Sequence, residues 1–267
     1  MTSGIRSEAS GSVVSELSVV LPAFNEEGSV EAVVRRCVAD LDRRRFDYEV
    51  LVVNDGSRDR TGEILTRLSR ELPKLRPLGH ARNLGYGAAL RTGFGAATRR
   101  FVFYMDADGQ LDITDLDRLL PLATDEAHIV TGYRMRRRDP PVRRLNAWLF
   151  GRLVRLLLGV RVRDLNCAFK LVPRQVLDDM TLESTGALIN AELYARALNR
   201  GFGIKEVGVH HYPRAAGSPT GGSLPVIARA FRDLLRMRRS TRVDYRRGSA
   251  RAPRPAAPSR RGDPAPP

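Results

Sequence analysis

The sequence predicts an α/β fold: a doubly wound, mostly parallel sheet flanked by helices. Three observations predict it. Apolar runs of strand length alternate with stretches of helical periodicity. Those stretches are long enough to cross over between parallel strands. Acidic and small polar residues stand directly after the strand runs, where sheets of this kind place their ligands.

The elements follow in order. Residues 17–23 (LSVVLPA) read as a buried strand. Residues 29–41 set Val30, Val33, Val34, Cys37, Val38 and Leu41 on one side of a helix. Residues 48–53 (YEVLVV) form a second strand and 61–72 a second helix. Residues 83–98 form a helix rich in Ala and Gly. Residues 100–105 (RFVFYM) and 128–132 (HIVTG) are the third and fourth strands. Two later stretches pair apolar and basic stripes at helical spacing. In 143–160 they are Leu145, Trp148, Leu149, Leu153, Leu156 and Leu157 beside Arg143, Arg144, Arg152 and Arg155. In 224–239 they are Leu224, Ile227, Phe231, Leu234 and Leu235 beside Arg229, Arg232, Arg236 and Arg239. Such stripes suit an anionic membrane surface. Packing against the domain is the alternative for both; the second, beside a basic tail, is assigned to the membrane.

Composition bounds the function. The chain has 267 residues, 42% of them hydrophobic and 28% charged, which excludes a wholly disordered protein. Residues 1–15 and the Arg- and Pro-rich 240–267 read as disordered, and 16–239 as one domain. No apolar run reaches the roughly 18 residues of a membrane span, and the N-terminus lacks a signal-peptide core, so a cytoplasmic protein is expected. Two cysteines exclude a disulfide framework. The net charge of +15 favours an anionic partner. Nucleic acid is one such partner, but no recognition motif is present and aromatics are only 6%, too few for base stacking.

The chemistry is expected at the strand ends. Pro22, Phe24, Asn25 and Glu26 follow the first strand, Asn54-Asp55-Gly56-Ser57 the second, and Asp106-Ala107-Asp108-Gly109-Gln110 the third. Turn and cap chemistry accounts for the first two taken singly. Asp106 and Asp108 point to the same side of an extended chain, and two carboxylates there repel unless a cation lies between them. Oxygen ligands suit Mg²⁺ or Mn²⁺, and Gln110 offers a third. A solvated acidic turn is the alternative. An EF-hand loop fails, because Leu111 stands where glycine is required and Asp117 where glutamate is. Gly85-Tyr86-Gly87 lacks the third glycine of a dinucleotide fingerprint. The four histidines show no zinc-protease spacing.

With those residues stated, the sequence resembles the family 2 glycosyltransferases of GT-A fold, in the branch of dolichol-phosphate mannose synthase and polyprenyl-phosphate glycosyltransferases. The matching text is VVLPAFNEEGSV, VLVVNDGSRDRTGEIL, ARNLGYGAALRTGFGAA, FVFYMDADGQLD, RDLNCAFKLVPR and EVGVHHYPRAAGSPT, spanning about 17–235. The resemblance implies inverting transfer of a hexose from a nucleotide diphosphate sugar to a polyprenyl phosphate, by an enzyme peripheral on the cytoplasmic face of a membrane. It implies that Pro22, Phe24, Glu26 and Asp55 hold the nucleoside. It assigns Asp106, Asp108 and Gln110 to Mg²⁺ or Mn²⁺, and Arg134 and Arg214, with Arg143 or Arg144, to phosphate groups. A hydroxyl acceptor would need a base, for which Glu192 and Asp164 are candidates. Ala168 and Asn190 depart from the usual pattern and leave the acceptor open; a soluble hydroxyl is the alternative. A catalytically silent scaffold is disfavoured by the intact Asp106, Asp108 and Gln110.

Overall fold

The computed structural model describes residues 14–124, 126–135, 141–178, 180–213, 234 and 237, with the backbone alone for 141–147. The expected disordered ends, 1–15 and 240–267, lie outside these apart from residues 14 and 15, as does Arg214.

The described chain runs β1 (Glu16–Ala23), α1 (Val30–Arg43), β2 (Asp47–Asn54), α2 (Thr61–Glu71), β3 (Leu75–Gly79), α3 (Tyr86–Ala96), β4 (Phe101–Met105), α4 (Leu116–Leu119), β5 (His128–Arg134), α5 (Pro141–Leu158), β6 (Phe169–Pro173), α6 (Arg174–Leu177), α7 (Ile189–Asn199) and β7 (Gly203–Val209). Seven strands form one sheet in the order β3-β2-β1-β4-β6-β5-β7. All pairings are parallel except those of β6, which runs antiparallel to β4 and β5.

Alternation along the strands builds two cores. Val19, Leu21, Phe103 and Met105 face the layer of α1 and α2, while Val20, Val102 and Tyr104 face that of α3, α5 and α7. Edge-to-face rings fix the centre of each: Phe103 against Phe169 at 4.7 Å, and Phe94 against Tyr104 at 5.4 Å. Leu234 and Met237 are buried in the second core. Leu234 is the one described member of the stripe assigned to the membrane, and it packs inward instead; burial of its apolar surface within the domain decides its place.

Two features of the topology make the site. The order in which strands are added reverses between β1 and β4, which lie parallel, and this is the switch point at which a doubly wound sheet opens a crevice. The antiparallel β6 begins where β4 and β5 end, with Phe169 opposite Met105. Residues 164–168 therefore join Asp106 and Arg134 on one rim.

Candidate active site at the switch point

The loops after β1 and β2 are zipped together by the side chains that follow them. The Ser57 hydroxyl accepts the Asn25 N–H at 2.9 Å, and Asn25 Oδ1 accepts the Arg58 N–H at 2.9 Å. Thr61 Oγ1 accepts the Glu26 N–H at 2.9 Å, and Asp59 Oδ2 accepts that of Glu27 at 3.0 Å. Asn25 adopts φ 56°, a conformation that asparagine tolerates. Much of NDGSRDRT is thus architecture. Phe24 is half-buried at the mouth, and Pro22 is buried in β1. Glu26 is buried, and its Oε2 accepts from Ser29 Oγ at 3.0 Å. The same oxygen lies 2.9 Å from the Ala107 carbonyl, so its single proton is shared between the two acceptors and ties the start of α1 to the aspartate loop.

Asp55 reaches the loop that follows β3. Its carboxylate is buried and accepts the N–H groups of Leu84 and Gly85 at 2.9 and 2.8 Å, with His80 Nδ1 at 2.7 Å. Both oxygens are engaged in holding residues 80–85. Gly56 permits this packing: at φ +67°, a Cβ there would meet the Arg82 backbone at 2.3 Å.

Asp106 and Asp108 stand on the loop after β4. Asp108 is 9% exposed, and its Oδ1 accepts the Gln110 N–H at 3.0 Å. Asp106 is half-buried and receives the hydroxyl of Tyr86, the first residue of α3. Burial, and then the Asp108 charge, push its pKa up to about 7, against the lowering by Tyr86, Lys170 and Arg134. A pair of carboxylates this crowded fits a divalent cation. Among the described residues no cluster of three or more His, Cys, Asp and Glu side chains is disposed to hold a metal. Two carboxylates and a carboxamide, completed by phosphate oxygens and water, is the hard, open set that suits Mg²⁺ or Mn²⁺. Gln110 Nε2 donates to the Tyr212 carbonyl at 3.3 Å, which leaves Oε1 as the atom suited to a cation. A cavity of about 360 Å³ flanks the loop on the α1 side, between Val33, Gly109 and Tyr212, but neither aspartate lines it.

The rim residues on the other side are paired. Arg134 Nε and Nη2 grip Asp164 Oδ2 and Oδ1 at 2.7 and 2.9 Å. That fork pairs the Asp164 carboxylate with a full positive charge. Glu192, 1% exposed, accepts the N–H groups of Glu183 and Ser184 at 2.9 and 2.8 Å and Arg196 Nε at 2.9 Å. The carboxylate is engaged by these donors and anchors the loop at residues 183 and 184. The loop packs on α3, where Gly87 N donates to the Thr185 carbonyl at 2.7 Å and a Cβ on Gly87 would lie 2.3 Å from the Ser184 carbonyl. The glycines that imitate a dinucleotide fingerprint serve this contact. The side chains of Arg143 and Arg144 lie outside the described set.

Two residues were not anticipated. Tyr86 was hidden by the glycines around it. Lys170 is fully buried in β6 and donates to the Cys167 carbonyl and to Asn190 Oδ1, the latter at 3.1 Å. Its ammonium lies 5.1 Å from the centre of the Tyr104 ring, and burial lowers its pKa to about 8. A lysine inside an apolar strand, with Asn190 in place of an acid, was the available signal.

The chain is similar to known proteins in sequence and in fold. The model of the family described as glycosyl transferase family 2 matches residues 18–181. An undecaprenyl-phosphate 4-deoxy-4-formamido-L-arabinose transferase of Aeromonas hydrophila subsp. hydrophila is 31% identical over 215 residues, 79% of this chain and 64% of that protein. The chain thus spans less than two thirds of that relative. Glucosyl-3-phosphoglycerate synthase of Mycobacterium tuberculosis shares the fold. Its complex with Mn²⁺, UDP and phosphoglyceric acid gives a TM-score of 0.66 at 23% identity, over 83% of this chain and 78% of that one. Its complex with Mg²⁺ and UDP gives 0.66 at 22%, with the same coverage. The sheet is that of the GT-A fold, and the family match takes in the zipped loops, the aspartate pair and β6. The chain belongs to glycosyl transferase family 2.

Proposed function

We propose that the protein transfers a glycosyl residue from a nucleotide diphosphate sugar to a polyprenyl phosphate, with inversion at the anomeric carbon. The observation that carries this reading is the crowded Asp106–Asp108 pair at the switch point, beside a rim closed by Arg134. In the transfer, an acceptor phosphate oxygen bonds to the anomeric carbon as the bond from that carbon to the diphosphate breaks. The nucleoside diphosphate leaves with the electron pair. A bound Mg²⁺ or Mn²⁺ supplies neutralisation of the charge that develops on that diphosphate. Asp106, Asp108 and Gln110 hold the ion, Tyr86 orients Asp106, and Phe24, Pro22 and Glu26 form the nucleoside wall that Asp55 supports. Arg134, oriented by Asp164, faces phosphate oxygens, and Arg214 is proposed to join it.

The engaged carboxylates favour a lipid phosphate over a hydroxyl acceptor. Asp164 and Glu192 are both committed to other partners. A phosphate monoester is already ionised near neutral pH, its second pKa being about 6, and needs no strong base. The Aeromonas relative, named for an undecaprenyl-phosphate substrate, supports the same acceptor class. A peripheral position on the cytoplasmic face of a membrane goes with it. The test is a screen of labelled nucleotide sugars with Mg²⁺ or Mn²⁺ and a polyprenyl phosphate. Label is expected in the organic phase. Label appearing only on water-soluble hydroxyl acceptors would reverse the choice.

A further inference from the structure

Trp148, Leu149 and Leu156 stand out of α5 with relative exposures of 54%, 52% and 79%. Arg152 and Arg155 are exposed among them. At about 100° per residue, the five side chains fall within one arc of roughly 120°. Val154, across the helix, is buried in the core. The Arg152 guanidinium lies over the Trp148 ring, 4.7 Å from its centre. Three of the six large apolar side chains exposed among the described residues sit on this one arc, so the exposure is a patch and not a scatter.

We propose that this face of α5 docks the protein on an anionic bilayer surface. Trp148, Leu149 and Leu156 enter the headgroup boundary, and Arg152 and Arg155 contact lipid phosphates. Charge complementarity selects this occupant: α5 contains no acidic residue, and the chain carries a net charge of +15. No described helix is long and apolar enough to cross a membrane, so α5 lies in the plane of the interface. A tryptophan beside arginines is the side-chain pairing that such a boundary favours. Placement adds a reason. α5 connects β5 to β6, and the residues that bracket it, Arg134 and Asp164, are locked together at the rim of the site. A membrane-laid α5 brings that rim to the headgroups. The inference rests on the polyprenyl-phosphate reading and specifies the surface from which that acceptor arrives.

Trp148 is the one tryptophan of the chain, so its fluorescence reports on this face alone. The full chain is titrated with vesicles of phosphatidylcholine, and with vesicles of phosphatidylcholine and phosphatidylglycerol in equal amounts. A blue shift, with quenching by brominated acyl chains, is expected for the anionic vesicles only. The double variant Leu149→Glu, Leu156→Glu should bind them at least roughly tenfold more weakly, with unchanged circular dichroism. If it does not fold, Arg152→Glu with Arg155→Glu gives the same comparison without touching apolar packing. The Arg-rich tail alone can bring the chain to anionic vesicles. Sedimentation with vesicles while Trp148 emission keeps its value in water therefore overturns the proposal. A blue shift that grows with protein concentration in the absence of lipid also overturns it, by marking a second copy of the chain as the occupant. A separate arm measures transfer to a short-chain polyprenyl phosphate in detergent micelles. If that transfer is absent while Trp148 still enters anionic vesicles, the acceptor reading fails and the docking stands. If transfer in micelles is normal while Trp148 stays in water, the docking alone fails.

Discussion

In the parallel half of the sheet, β3-β2-β1-β4, side chains after the strands tie the loops together and leave Asp106 and Asp108 crowded on one turn. In the other half, β6-β5-β7, the rim carboxylates are matched: Asp164 by the Arg134 fork, Glu192 by two backbone N–H groups and Arg196. Both halves bury acids near the site, so burial does not tell chemistry from architecture. The balance of partners does. A carboxylate pressed toward neutrality by burial and then by a like charge is set up for a cation, whereas one surrounded by donors is a fastener.

The comparison breaks if the two kinds of acid respond alike to substitution. Asp108→Ala should lower turnover by roughly a thousandfold, through loss of charge stabilisation at the leaving diphosphate, while the melting temperature holds. Steady-state assays beside thermal denaturation measure both. Glu192→Ala should do the reverse and cost about 3 kcal/mol of stability, because buried Arg196 loses its nearer carboxylate and the Glu183 and Ser184 N–H groups lose their acceptor. Denaturant unfolding measures it; a Glu192→Ala protein of native stability that has lost only turnover would favour the base assignment.

A pH series sharpens the contrast. The Asp106 pKa is about 7 in the folded, metal-free protein against a reference of 3.8. The folded state therefore binds this proton more tightly than the unfolded chain. The associated stability is present in full below about pH 4 and is lost as pH rises through about 7. Asp106→Asn, which stays neutral, should melt several degrees above the wild type at pH 8 without metal, and close to it at pH 4. Equal melting temperatures at both would show that Asp106 is not strained. The smallest effect belongs to the zipped loops. Ser57→Ala removes the acceptor for the Asn25 N–H, an exposed bond, and should cost about 1 kcal/mol with donor affinity only slightly weakened.

The donor half was legible because its signals are local. Apolar runs ending in polar loops gave β1, β2, β4 and β5, and the spacing within DADGQ gave the paired carboxylates. The edge strand β3 was missed because LRPLG alternates poorly and places Pro77 where a central strand would need a donor. α7 was missed because Ile189–Ala197 is buried on all sides, which erases the stripe that marks an amphipathic helix. β6 carries a lysine, a residue that composition places on the surface. Its fit comes from Tyr104, Tyr194 and Asn190, which converge only in three dimensions. The partners of Asp55 and Glu192 were out of reach for the same reason. They lie in loops 25 to 30 residues away for Asp55, and in backbone N–H groups that a sequence does not display for Glu192.

The most direct test of the central claim is a Mn²⁺ titration followed by electron paramagnetic resonance, with nucleoside diphosphate present, on the wild type and on Asp106→Asn and Asp108→Asn. One ion per chain is expected in the wild type, and none at the same concentrations in either variant. Retention of the full Mn²⁺ signal by both variants would contradict the assignment of the aspartate pair.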